Sequence, residues 1–131
     1  MTRRLLVAED DRLVAAVLEQ MLIDAGFEVE LAEDGLQAIA KVAADPSGFD
    51  LALIDLVMPN ADGAEVMAAI GRLNPELPVV LTSGHGEDYV RERVGDARYA
   101  AFLPKPWRPQ QLFATIGQIL RADADGTAPL T

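Results

Sequence analysis

The sequence predicts an α/β fold: a doubly wound, five-stranded parallel sheet in the order 2-1-3-4-5, flanked by five helices. Three observations carry this. Five short apolar runs, at residues 5–8, 27–31, 51–54, 79–81 and 101–103, alternate with five longer segments of helical period, which is the pattern of a parallel sheet with crossover helices. The first, third and fourth runs are continuously apolar, as strands covered on both faces must be. Phe27-Glu28-Val29-Glu30-Leu31 alternates instead, which makes strand two an edge. Right-handed crossovers then place strand one inside strand two and fix the order.

The helices follow from the intervening segments. The first, from Arg12, is expected to pack Leu13, Val14, Val17, Leu18, Met21 and Leu22 on the sheet and to stop at Gly26. Leu36, Ile39, Ala40 and Ala43 repeat the pattern in the second helix, Val66, Met67, Ile70 and Leu73 in the third, and Leu112, Ile116, Ile119 and Leu120 in the fifth. Between residues 87 and 97 only Val90 and Val94 are strong anchors amid Arg91, Glu92 and Arg93, so the fourth helix should be the most loosely held. Residues 1–121 are expected to form the domain and 122–131 a flexible C-terminal tail, with no output domain.

At 131 residues, half of them apolar, the chain suffices for one core without disulfide or metal staples. Cysteine is absent, which excludes a disulfide framework and thiolate metal sites and suits the cytoplasm. No apolar stretch approaches a membrane span, and the N-terminus runs straight into a strand rather than a signal-peptide core, so neither membrane insertion nor export is expected. The net charge of −10 repels phosphate backbones and argues against direct nucleic-acid binding. Only two lysines occur. Lys41 is expected on a solvated helix face, which leaves Lys105 as the one near candidate chemistry.

Ligands of open parallel sheets collect beyond the carboxyl ends of the strands. Strand one ends in Glu9-Asp10-Asp11, strand three in Asp55, strand four in Thr82-Ser83-Gly84, and strand five runs through Pro104 into Lys105-Pro106. Clustered carboxylates repel one another unless a cation lies between them. An oxygen-only set with room for water and a phosphate oxygen suits Mg²⁺. Lys105 adds a point charge and Ser83 a hydroxyl donor, which together match the oxygens of a transferring phosphoryl group. A carboxylate nucleophile needs no general base.

Leu5-Leu6-Val7-Ala8-Glu9-Asp10-Asp11, Leu53-Ile54-Asp55-Leu56-Val57-Met58-Pro59, Val80-Leu81-Thr82-Ser83-Gly84 and Leu103-Pro104-Lys105-Pro106 stand in the order and spacing of the receiver domains of two-component response regulators, which the chain resembles over residues 3–121. The resemblance implies a flavodoxin-like fold and a phosphorelay switch. In it Asp55 is the phosphoacceptor, Asp10 a direct Mg²⁺ ligand, Glu9 a metal helper through water, and Val57 a backbone carbonyl ligand. Ser83 and Lys105 would bind the phosphoryl group, Ser83 and Phe102 would form the switch couple, and the Lys105-Pro106 bond would be cis. The implied partners are a sensor histidine kinase or histidine phosphotransfer protein, docking by the first helix near Arg12, Ala15, Ala16 and Glu19, and a downstream protein target. The chain would act as monomer or weak dimer, not as a conventional enzyme. Glu stands at 9 where Asp is more frequent in the family, and Ser at 83 where Thr is; both keep the chemical group, so altered rates are expected.

Other residues read more simply. Asp11 is expected to be a cap or a first-turn acid of the first helix, and Ala32-Glu33-Asp34-Gly35, a copy of the first acidic motif at the edge strand, to be a cap and solvated surface. His85 lies in a Gly-His-Gly loop, residues 60–63 look like a turn in which Gly63 serves a backbone shape, and Trp107 serves packing or a partner contact. Two other functions fit parts of the pattern. A Mg²⁺-dependent aspartyl-phosphate phosphohydrolase would have nucleophile and acid two residues apart after strand one, but Asp10 is followed by Asp11 and Arg12. A phosphate-independent scaffold would not need the full set of acids, hydroxyl and lysine.

Overall fold

The computed structural model describes residues 2–95 and 97–125, the last four by backbone alone. In chain order the elements are β1 (Arg4–Ala8), α1 (Arg12–Asp24), β2 (Glu28–Ala32), α2 (Gly35–Ala44), β3 (Leu51–Asp55), α3 (Gly63–Leu73), β4 (Val79–Ser83), α4 (Glu87–Val94), β5 (Ala101–Pro104) and α5 (Pro109–Asp125). The strands form one parallel sheet in the order β2-β1-β3-β4-β5, as the hydrophobic patterning predicts. Side chains alternate between the two faces and so build two cores. Leu6, Ile54 and Leu81 meet Val42 of α2, Val66 and Ile70 of α3, and Val90 and Val94 of α4. Leu5, Val7, Leu53, Val80 and Leu103 meet Leu18 and Leu22 of α1 and Leu112 and Ile116 of α5.

Short acidic caps start the first three helices. Asp11 accepts from the backbone N–H of Leu13 and Val14, Asp34 from Gln37, and Asp62 from Glu65, whose own side chain closes a capping box. Helix α4 differs: its N-cap is Gly86, which offers no side chain, and Val90 and Val94 are its only buried residues. It is the thinly anchored element that the sequence indicates.

Two helices depart in part from their expected faces, α1 keeping Val14, Leu18, Met21 and Leu22 on the core. In α1 the buried residues are Ala15, Leu18 and Leu22, while Leu13 is 76% and Val17 52% exposed. In α2 they are Gly35, Ala38 and Val42, whereas Leu36, Ala40 and Ala43 are exposed and Ile39 is half-buried. Each helix thus buries an arc that mixes small and large residues, and leaves apolar side chains such as Leu13, Val17 and Leu36 outside. A Cβ at Gly35 would collide with the Ala61 carbonyl, so glycine is what lets α2 approach the loop after β3. Leu73 of α3 is likewise at the surface.

Lys41 is half-buried rather than fully solvated and reaches Glu30 at 3.5 Å; Glu30 also takes the Arg4 guanidinium at 2.7 Å. Only Glu28 of the two strand-two carboxylates is exposed. Helix α5 runs to Asp125, so the first four residues of the expected tail are helical, and the rest of that tail lies outside the described residues.

Candidate functional site

The carboxyl ends of β1, β3, β4 and β5 converge as the strand order requires. Glu9 follows β1 directly; its N–H donates to the Ala32 carbonyl at 3.1 Å, and its side chain is 3% exposed. Asp10, next to it, is exposed. Asp55 closes β3, is 7% exposed, and accepts the backbone N–H of Val57 on Oδ1 at 3.3 Å. One carboxylate oxygen each from Glu9, Asp10 and Asp55 lies within 4.8 Å of the others. The loop after Asp55 is shaped by Gly63, where a Cβ would meet the Leu56 Cα at 2.7 Å. The same loop leaves the Val57 side chain exposed.

Lys105 enters from the far side. Its N–H is held by the Ser83 carbonyl at 2.9 Å, and its peptide bond to Pro106 is cis. The ammonium donates to Glu9 Oε1 at 2.9 Å and to Asp55 Oδ2 at 3.1 Å. The partnership with Glu9, 96 positions away in the chain, is visible only in three dimensions. Burial pulls the Lys105 pKa down, but the Glu9 hydrogen bond and the charge and hydrogen bond of Asp55 outweigh it. The ammonium therefore titrates above the usual lysine range.

Ser83 is buried, and its Oγ accepts the His85 N–H at 3.0 Å. His85, expected to be a bland loop residue, stacks on Tyr89 of α4 with ring centroids 4.1 Å apart. The Arg93 guanidinium lies over the same ring at 4.9 Å and 3.9 Å from Asp62. Phe102 is half-buried against the core that holds Val90 and Val94. In the sheet it is level with Leu81, so it shares a face with Ser83. Asp34, the acidic copy at the edge strand, caps α2 and takes the Asn60 amide at 2.7 Å, and it is not a member of the three-carboxylate group. Ala15, expected on the exposed docking face of α1, is buried; Arg12 and Ala16 are exposed and Glu19 is half-buried.

A sequence model described as the response regulator receiver domain matches residues 5–117. The chain belongs to the receiver domain family of two-component response regulators. It is 37% identical over 123 residues to the response regulator MprA of Mycobacterium tuberculosis H37Rv and of Mycobacterium bovis BCG, covering 92% of this chain and 52% of each relative. The chain thus spans about half the length of these curated relatives. Among solved structures, a CheY-like receiver domain protein of Methanospirillum hungatei superposes with a TM-score of 0.89 at 25% identity, over 96% of this chain and 99% of that one. A receiver protein of Sinorhizobium medicae gives 0.82 at 27% identity, over 92% and 96%.

The donor set of this receiver domain fits a hard divalent cation. Its oxygens come from three carboxylates, two buried and one open to solvent, which leaves space for water and a phosphate oxygen. Among the described residues no helix is long and apolar enough to cross a membrane.

Proposed function

We propose that the chain is a phosphorelay switch that takes a phosphoryl group from a phosphohistidine, on a sensor histidine kinase or a phosphotransfer protein, onto Asp55. The observation that carries this is a buried Asp55 carboxylate beside both Glu9 and Asp10 and bonded to Lys105. Glu9, Asp10, Asp55 and the Val57 carbonyl would hold Mg²⁺, which when bound neutralises charge on the phosphoryl oxygens. An Asp55 oxygen attacks phosphorus, the P–N bond breaks, and its electron pair stays on the imidazole nitrogen. Lys105 turns to a phosphoryl oxygen, which keeps the added charge paired.

Ser83 then passes the change on. Its hydroxyl leaves the His85 N–H for the phosphoryl group, so His85 is released from its bond while still stacked on Tyr89 of α4. Phe102, on the same face of the sheet, moves with it, and the thinly anchored helix shifts between two pre-existing positions. The protein would thereby catalyse its own phosphorylation and hydrolysis and act otherwise by binding a protein target. Leu13 and Val17 are exposed on α1, and Val14 of the same helix lines an apolar pocket of about 490 Å³ with Gly84, Lys105, Pro106 and Trp107; these features favour a donor that docks a helix on α1.

The test is incubation with acetyl phosphate and Mg²⁺, followed by intact mass. Addition of one phosphoryl group that needs both Mg²⁺ and Asp55, judged against Asp55→Asn, supports the reading. An adduct that persists in Asp55→Asn shows another nucleophile. No adduct, together with no response to beryllofluoride, favours a phosphate-independent scaffold.

A further inference from the structure

Thr82 Oγ1 is the one buried side-chain polar atom among the described residues that has no hydrogen-bond partner. Native structures seldom carry such a hydroxyl without cause. Thr82 is level with Asp55 of β3 and with Leu103 of β5. Parallel neighbours in register share a face, so its side chain lies on the α1 and α5 side, as does that of Val80 two residues earlier. Lys105 stands two residues beyond Leu103. To reach Asp55 and Glu9 its side chain must cross the end of β4, because β4 separates β5 from β3 and β1. The residue of β4 on that face at the crossing is Thr82.

We infer that Thr82 is a positioning residue for Lys105, its hydroxyl accepting an ammonium N–H once the phosphoryl group and the cation draw Glu9 and Asp55 away. The ammonium has three donors, and in the resting arrangement two of them serve these carboxylates. When both carboxylates turn to other partners, one donor goes to the phosphoryl oxygen and another needs a buried acceptor on the sheet side. The unpartnered hydroxyl below supplies it. This inference rests on the phosphorelay reading and adds a residue to it. The plainer view is that Thr82 is a β-branched strand residue whose hydroxyl is merely tolerated. The two views differ in what removal of the hydroxyl does to each state.

The experiment compares wild type, Thr82→Val, Thr82→Ser and Asp55→Asn. Melting is followed without metal and then with Mg²⁺ and rising beryllofluoride, and aspartyl-phosphate lifetime is read by intact mass. Thr82→Val should melt at or above wild type without metal, since a methyl replaces an unsatisfied hydroxyl. Its apparent beryllofluoride affinity should fall about tenfold, the scale of one hydrogen bond to a charged group, and its phosphate lifetime should change. Thr82→Ser should keep the wild-type affinity. If Thr82→Val responds as wild type does, the inference fails and the phosphorelay reading stands. If Thr82→Ser loses as much as Thr82→Val, keeping the hydroxyl does not preserve the response, and the inference fails again. If wild type itself responds to neither ligand, both fall. Should Thr82→Val not fold, Thr82→Ala replaces it in the same comparison with Thr82→Ser.

Discussion

Lys105 Nζ lies 2.9 Å from Glu9 Oε1, although 96 residues separate them in the chain. One cation, itself about a third exposed, thus holds two buried carboxylates at the ends of β1 and β3. Breaking such an arrangement leaves charge uncompensated in a low-dielectric site, which costs more than the pairing is worth. Lys105→Met should therefore destabilise the metal-free protein, by about 2–4 kcal/mol, and Mg²⁺ should recover much of the loss by supplying another cation. Urea denaturation with and without Mg²⁺ checks this. A loss that Mg²⁺ leaves untouched would mean that Lys105 contributes by packing of its alkyl stem.

The same pairing sets a pH dependence. The folded pKa of Lys105 is raised above the ordinary 10.5. Its stabilisation is then fully present below 10.5 and is lost as pH rises through the higher folded value. Wild type should lose more stability than Lys105→Met in that alkaline window. Parallel curves would show that another group governs the decline.

Asp34 behaves oppositely. The backbone N–H of Gln37 and then the Asn60 amide lower its pKa below 3.8; burial opposes them, and the Leu36 N–H adds the least of the lowering. Its contribution is present above 3.8 and fades as pH falls through the folded value. Asp34→Asn, which cannot ionise, should flatten the acid limb of the stability curve, as read by circular dichroism, while leaving phosphorylation of Asp55 unchanged.

Two glycines should respond with opposite signs. Gly35→Ala places a methyl against the Ala61 carbonyl and should cost about 1–3 kcal/mol, since the two nearest atoms are backbone. Gly71 is exposed in α3 with nothing within 4 Å of a Cβ, so Gly71→Ala should gain up to about 1 kcal/mol from helix propensity. Chemical denaturation of the pair decides whether close approach or helix propensity governs each position.

Leu13→Asp with Val17→Asp tests the docking surface. Transfer from a phosphorylated kinase or phosphotransfer protein that labels wild type should fall about tenfold or more, as expected for removal of central apolar contacts. Labelling by acetyl phosphate should be unchanged, since neither side chain belongs to the acidic site. An equal loss with both donors would place the effect in the site and not in docking.

The strand runs, their order and the acids, hydroxyl and lysine at the strand ends were legible in the sequence because they depend on local pattern. Period-two and continuous apolar runs report burial directly, and a parallel sheet with right-handed crossovers leaves few ways to order the strands. The thin anchoring of α4 was equally plain, since Val90 and Val94 are its only strong apolar residues. Tertiary structure alone decided which arc of α1 and α2 is buried. Both helices are apolar over more than one face, so periodicity admits more than one arc, while packing in three dimensions buries Ala15 with Leu18 and Leu22 in α1 and Gly35 and Ala38 with Val42 in α2 and leaves Leu13, Val17 and Leu36 outside. It also decided that Lys105 serves Glu9 as well as Asp55 and that the Thr82 hydroxyl is buried without a partner. Such contacts join residues far apart in sequence, and their geometry is set by sheet register and loop closure, which no local pattern encodes.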